Sequence, residues 1–176
     1  GLRGLPIAAL HDGEQFMVEK YSVGMVPSVG LMDSQYRSIA NAEVLAMGAE
    51  TFTQQNPLPA VPVEMNTITQ LQGGTVFLNE AFTQENLIQH QANNPHRIIH
   101  LATHAAFNPG TADHSYIQLW GDERLNLNEV QDLGWHDPSV DLLVLSACQT
   151  AVGNADAEMG FAGLAVASGV RSALAS

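Results

Sequence analysis

Apolar residues run without polar alternation through two stretches, 97–104 (Arg-Ile-Ile-His-Leu-Ala-Thr-His) and 140–148 (Val-Asp-Leu-Leu-Val-Leu-Ser-Ala-Cys). Strands of a parallel sheet covered by helices on both faces have this pattern, because neither face meets water. A third such run, 43–48, predicts a further core strand, 75–78 a short one, and another strand is expected from Val170. Between them the pattern turns helical. Val61, Met65, Ile68 and Leu71 recur at helical spacing behind Pro62, and Gly73-Gly74 ends that helix. Thr83 caps a second helix, with Glu85 in its first turn and an end near Asn93-Asn94-Pro95. Asn126 and Glu129 make a capping-box-like start to a helix that stops at Gly134. Residues 159–168 are apolar nearly all round and predict a buried helix terminated by Gly169. Two turns predict hairpins: Asp12-Gly13 between the apolar segments 5–10 and 15–26, and Gly121-Asp122 between 115–120 and Arg124-Leu125. This alternation specifies an α/β fold, a doubly wound and mostly parallel sheet of flavodoxin-like type, preceded by an N-terminal β-hairpin.

The two longest runs end in chemistry. His104 closes the first and Cys148, the only cysteine, closes the second. Neighbouring strands lie ~5 Å apart, so a base and a nucleophile just past their carboxyl ends meet across a substrate if the strands are adjacent. Open α/β sheets place their ligands at that edge. A lone cysteine after a buried strand is ordinarily a small core residue. Here it is followed by Gln149, Thr150, Gly153, Asn154 and Asp156, a polar loop that would expose the thiol.

Composition narrows the alternatives. With 45% hydrophobic residues in 176, the chain fits one globular domain with a sizeable core. No apolar run approaches the ~18 residues of a membrane span, and no export signal opens the sequence, so a soluble cytoplasmic protein without membrane contact is expected. A single cysteine excludes an internal disulfide and suits a reducing compartment. The net charge is −12, and the basic residues Arg3, Lys20, Arg37, Arg97, Arg124 and Arg171 are scattered, which argues against nucleic acid as a partner. One cysteine and irregularly spaced histidines supply no recognised metal set, and Gly160 and Gly163 lack a phosphate-loop or dinucleotide pattern, so neither metal nor cofactor is expected.

The strings around the two residues are more specific than the residues alone. Ala147-Cys148 with a histidine upstream matches the caspase arrangement, in which the separation is ~50 residues. Ile99-His100-Leu101-Ala102-Thr103-His104-Ala105 and Leu145-Ser146-Ala147-Cys148-Gln149-Thr150-Ala151 resemble the CHAT domain family of caspase-like cysteine peptidases. The resemblance continues through 160–165 and 168–176 and reaches back to 5–10, so it covers nearly the whole chain. It implies the caspase-like version of the fold, with the His104 and Cys148 strands adjacent. CHAT domains are common in filamentous and cyanobacterial genomes and are often fused to tetratricopeptide repeats, so such a repeat region in cis or trans is an expected partner. Relatives carry further sheet after the position of Ser176 and helices before the N-terminal hairpin. The resemblance therefore implies a single domain over 1–176, incomplete at both ends, with an exposed sheet edge open to self-association.

The chemistry expected is acyl transfer on a protein or peptide substrate. Cys148 attacks the carbonyl, His104 acts as acid and then base, and the backbone N–H groups of Cys148 and Ala105 stabilise the oxyanion. Many relatives have glycine in the place of Ala105, and the added Cβ bears on substrate fit. By resemblance, the pocket for the residue before the cut is built from the end of the first core strand and from the position two before the cysteine, here Glu50 and Ser146. Asp156 and Glu158 are further acidic candidates, and Glu50 motivates a preference for a basic residue there. His100 is expected to be a core histidine with one partner; His90, His96 and His136 are expected at the surface; His114 is a lesser candidate for the cleft. Two other functions suit the same sequence: a catalytically silent interaction scaffold, and a small-molecule hydrolase using the same dyad.

Overall fold

In the computed structural model, residues 6–23, 37–107, 115–126, 128–137, 139–147 and 168–175 are described. In chain order their elements are α1 (Met17–Lys20), β1 (Val44–Gly48), α2 (Val61–Gln72), β2 (Gly74–Leu78), α3 (Gln84–Asn93), β3 (Ile98–Ala102), β4 (Ala105–Ala106), β5 (Tyr116–Gln118), β6 (Arg124–Asn126), β7 (Leu142–Ser146) and β8 (Ser172–Ala175). The two long apolar runs are neighbours. Strands β2-β1-β3-β7-β8 form a five-stranded sheet in that order, every pairing parallel. Counted in core-strand order this is 2-1-3-4-5, the doubly wound arrangement that the spacing predicts.

The pleat divides the side chains between two cores. Val44, Ala46, Ile98 and Ala102 face α2, where Val61 and Met65 cover them. Leu45, Met47, Ile99, Leu101, Leu143 and Leu145 face the other way, against Leu87 of α3, Phe82 and Trp135. That second core also takes Ala105, Ile117 and Leu125 of the three-stranded β4-β5-β6 sheet, whose β5–β6 pair is the hairpin expected at Gly121-Asp122. At the last register row, Gly48, Ala102 and Ser146 stand side by side. A Cβ on Gly48 would sit 2.6 Å from the Ala102 carbonyl oxygen and 2.8 Å from Val61, so only glycine lets α2 close on the sheet there.

Local signals account for most boundaries. Thr83 accepts the Asn86 N–H at 3.2 Å and starts α3. The stripe of α2 departs from the pattern read in the sequence: Leu71 is 83% exposed, and Gln72 takes its place. At 100° per residue position 72, not 71, returns to the face of Val61 and Met65. Its amide there donates to the carbonyls of Ile39, Ala40 and Ala42. The helix expected after Asn126 is a single 3-10 turn, Val130–Leu133, in the described residues. Glu129 still accepts from the Asn126 N–H at 2.8 Å, so the box forms without a longer helix.

The N-terminal hairpin is not formed in residues 6–23, which belong to a separate compact unit. A 3-10 turn, Ile7–Ala9, leads to a single bridge between His11 and Phe16, and α1 follows. Glu19 accepts the Phe16 N–H at 2.6 Å, fixing a helical turn where a strand was expected. Asp12 accepts from the Glu14 and Gln15 N–H groups and from Lys20, which together hold its carboxyl at about 2.

Charge is used for anchorage at the amino edge of the large sheet. Buried Asp141, just before β7, takes the Arg97 guanidinium at 2.5 Å and has Arg171 at 3.3 Å, so one carboxylate joins the starts of β3, β7 and β8. Asp141→Asn should cost about 2 kcal/mol, the worth of hydrogen bonds to a charged group. That loss would lower the melting temperature by roughly 6 °C; an unchanged melt would remove this role.

Candidate catalytic site

Three adjacent strands deliver the candidate residues to one edge. β3 ends at Ala102, and Thr103 continues it far enough to donate its N–H to the Ser146 carbonyl at 3.0 Å. β1 stays alongside: the Ala49 N–H reaches the Ala102 carbonyl at 3.2 Å, and Glu50 follows. Glu50, His104 and Ser146 therefore all lie at the carboxyl ends of β1, β3 and β7. Cys148, two residues after Ser146, lies outside the described residues, as do Asp156, Glu158, His114 and the expected helix up to residue 167.

His104 is half-buried and held from two sides. Its Nε2 lies 2.8 Å from the Asn56 carbonyl oxygen, and its ring packs edge-on against Phe52 with centroids 4.7 Å apart. A carbonyl only accepts, so Nε2 carries the proton and the lone pair of the neutral ring is on Nδ1. The loop between β1 and α2 thus fixes both the tautomer and the plane of the imidazole. Below it, the buried Thr103 hydroxyl donates to the Gln118 carbonyl at 2.6 Å, tying the end of β3 to β5.

Ala105 opens β4, opposite Ile117 of β5. The Gln118 N–H donates to the His104 carbonyl at 2.8 Å, which makes Ala105–Ile117 a non-hydrogen-bonded pair of the antiparallel ladder. The Ala105 N–H consequently points away from β5.

The two expected pocket residues have different partners. The Glu50 carboxylate accepts from the Asn79 amide at 3.2 Å, and the Glu50 N–H donates back to Asn79 at 3.0 Å; Asn79 follows β2 and takes positive φ to do so. Ser146 instead lies near the Glu64 side chain in the first turn of α2. His100, buried as expected, places its Nε2 2.8 Å from Glu64. The hydrogen bond from His100 holds the Glu64 carboxyl below its ordinary value, with Ser146 adding to it and burial opposing.

A carboxyl depressed in the folded state stabilises the fold above its unfolded value of about 4.5, and that stability is lost as pH falls through the folded value. Glu64→Gln should therefore lose less stability than the parent between pH 5 and pH 3 in urea titrations; parallel curves would show that the pair does not carry acid sensitivity.

Of the histidines expected at the surface, His96 is buried and His90 half-buried. His96 is buried because Gln91 clasps its backbone, donating to the His96 carbonyl at 2.8 Å and accepting its N–H at 2.9 Å. His90 stacks on it at 5.1 Å, and burial, then His96, push the His90 ring's pKa down. His136 is exposed as expected. An open groove lined by Ala42, Glu43, Asn93–Asn94 and His96–Arg97 lies at the amino edge and gathers none of the candidates. Among the described residues no group of three potential metal ligands converges, and no helix is long and apolar enough to cross a membrane.

The parallel five-stranded sheet in this order, covered by helices, makes a caspase-like α/β arrangement. The family model of the CHAT domain matches residues 1–176, the whole chain. The chain belongs to the CHAT domain family. No curated protein matches it. In this CHAT domain, sequence reasoning missed Phe52 and Asn56, which sit in a stretch legible only as a Pro-containing loop. It also missed Glu64, whose one signal was an acid in the first turn of a helix otherwise marked by its apolar stripe.

Proposed function

We propose that this CHAT domain is a cysteine endopeptidase acting through His104 and Cys148. The observation that carries the reading is the Nε2–H of His104 donated to the Asn56 carbonyl, beside the strand that leads to Cys148. With Nε2 so occupied, Nδ1 is the nitrogen left to take a proton. The Cys148 thiol gives its proton to that nitrogen as sulfur bonds the peptide carbonyl carbon, and the imidazolium returns it to the departing amine. Water then gives a proton to the same nitrogen as it attacks the thioester, and the thiol leaves reprotonated. The Ala105 N–H, turned out of the β4–β5 ladder, supports a share in holding the oxyanion together with that of Cys148. No cofactor enters these steps.

Peptides or proteins are the proposed substrates, in the cytoplasm, under control of a tetratricopeptide repeat region in cis or trans. A peptide carrying a thiol-reactive ketone tests the reading. It should label Cys148 in the parent and fail with His104→Ala. Absence of labelling with and without an added repeat region would favour the silent scaffold instead.

A further inference from the structure

Resting on the peptidase reading, we infer that Glu64 and His100 are positioning residues for His104: their hydrogen bond sets the loop whose carbonyl orients the imidazole. His104 takes its orientation from Phe52 and the Asn56 carbonyl, both in the span between β1 and α2. The first end of that span is fixed by the sheet. The Ala49 N–H donates to the Ala102 carbonyl at 3.2 Å, and Asn79 holds Glu50 at both its N–H and its carboxylate. The second end is carried by α2, because the Leu58 N–H donates to the Glu50 carbonyl at 2.8 Å and the Val61 N–H to the Leu58 carbonyl at 3.1 Å. Where the first turn of α2 stands on β3 therefore decides where the Asn56 oxygen stands.

Apolar packing alone does not decide that. Val61 and Met65 press on Val44, Ala46, Ile98 and Ala102, but hydrophobic contact is non-directional, so it seats the helix without fixing a small slide or rotation. Direction comes from polar ties at the two ends. Gln72 holds the last turn to the carbonyls of Ile39, Ala40 and Ala42. Glu64 holds the first turn, its Oε1 2.8 Å from the Nε2 of His100, which lies on β3 four residues before His104. A carboxylate only accepts, so this Nε2 carries the proton. The His100 side chain is 9% exposed, so bulk water does not replace the partner if the bond is lost. A buried donor left unpaired is costly enough to shift the helix or the ring. The strand that carries the base thus also carries the socket of the helix that aims it.

The test compares variants of the full chain in kcat and KM on one cleaved peptide. Glu64→Ala and His100→Phe should each lower kcat roughly 100-fold, the cost of a ~1 Å misplacement in a catalytic arrangement, with KM nearly unchanged. The double variant should be no slower than either single one, because both remove the same tie. Gln72→Ala, which frees the other end of α2, should lower the melting temperature and leave kcat near the parent's. Glu64→Asp, which keeps the charge one methylene short of the ring, should fall between parent and alanine, and serves where the alanine variant does not fold. A second measurement is independent of cleavage. In protein carrying isotope-labelled histidine, the NMR signal of the His104 Nε2–H, assigned by its loss in His104→Ala, should exchange with solvent roughly tenfold faster in Glu64→Ala, the worth of one hydrogen bond. Parent-like kcat in either Glu64 variant, additive losses in the double variant, an equal loss of kcat in Gln72→Ala, or unchanged exchange would overturn the assignment. Parent protein that cleaves no peptide and takes no thiol label would instead remove the peptidase reading beneath it, and the exchange measurement would still decide whether the pair holds His104.

Discussion

Cys148→Ala should abolish peptide cleavage, and His104→Ala should lower kcat/KM by ~10³-fold, the range for loss of a positioned general acid–base. The cysteine effect is the larger because it removes the atom that forms the acyl bond, whereas water can take over part of the proton traffic. Neither change should unfold the chain. His104 is half-buried beyond the end of β3, and its imidazole is held by one carbonyl and one ring edge rather than by the core. Steady-state kinetics with circular dichroism on the same samples would separate chemistry from folding. Parent-like cleavage by Cys148→Ala would sink the mechanism.

Gly74→Ala should be the most damaging single methyl in the described residues. Gly74 opens β2 directly opposite Val44 with φ near +132°, and a Cβ there would lie 1.9 Å from the Val44 carbonyl oxygen and 2.7 Å from the Val44 nitrogen. Both obstacles are backbone atoms of a fully buried strand, so no rotamer change relieves them. Overpacking of this kind costs about 3 kcal/mol, to which the unfavourable φ adds. The expected result is a melting temperature roughly 10 °C lower or more, with β2 detaching first. The alanine variant melting with the parent would mean that β2 is not anchored at its first residue. By contrast Gly73→Ala, where a Cβ meets only the Glu43 side chain at 3.7 Å, should lose only what its own positive φ of +76° costs an alanine.

What could be read from the sequence follows a physical division. Two-sided burial leaves a mark on every residue of a strand, which is why β1, β3 and β7 were legible and why His104 and Ser146 could be set at one edge. Caps and breakers act within a few residues, so Thr83 and Gly73 marked α3 and α2 correctly. Long-range partners leave no such mark. Nothing local says that Glu64 pairs with His100 across 36 positions, or that the Gln91 amide buries His96. The hairpin expectation failed for a related reason: Asp12-Gly13 does make a turn, but Glu19 and Lys20 use their charges to close it as a helical cap instead of letting a ladder form. Leu71 shows a misread period: three residues after Ile68 it stops about 100° short of Gln72, and 61, 65, 68 and 72 are the set that shares one face.

The orientation of His104 is delegated to a main-chain carbonyl, and this changes how the site is written in the gene. Any residue at position 56 offers the same oxygen, so an alanine scan would pass over Asn56 without effect, and divergent members could differ there freely. What must be inherited is the length and path of residues 49–60, the span from the end of β1 to the start of α2. Adding or deleting one codon in that span would move the oxygen off the imidazole while leaving every conspicuous letter of the site in place.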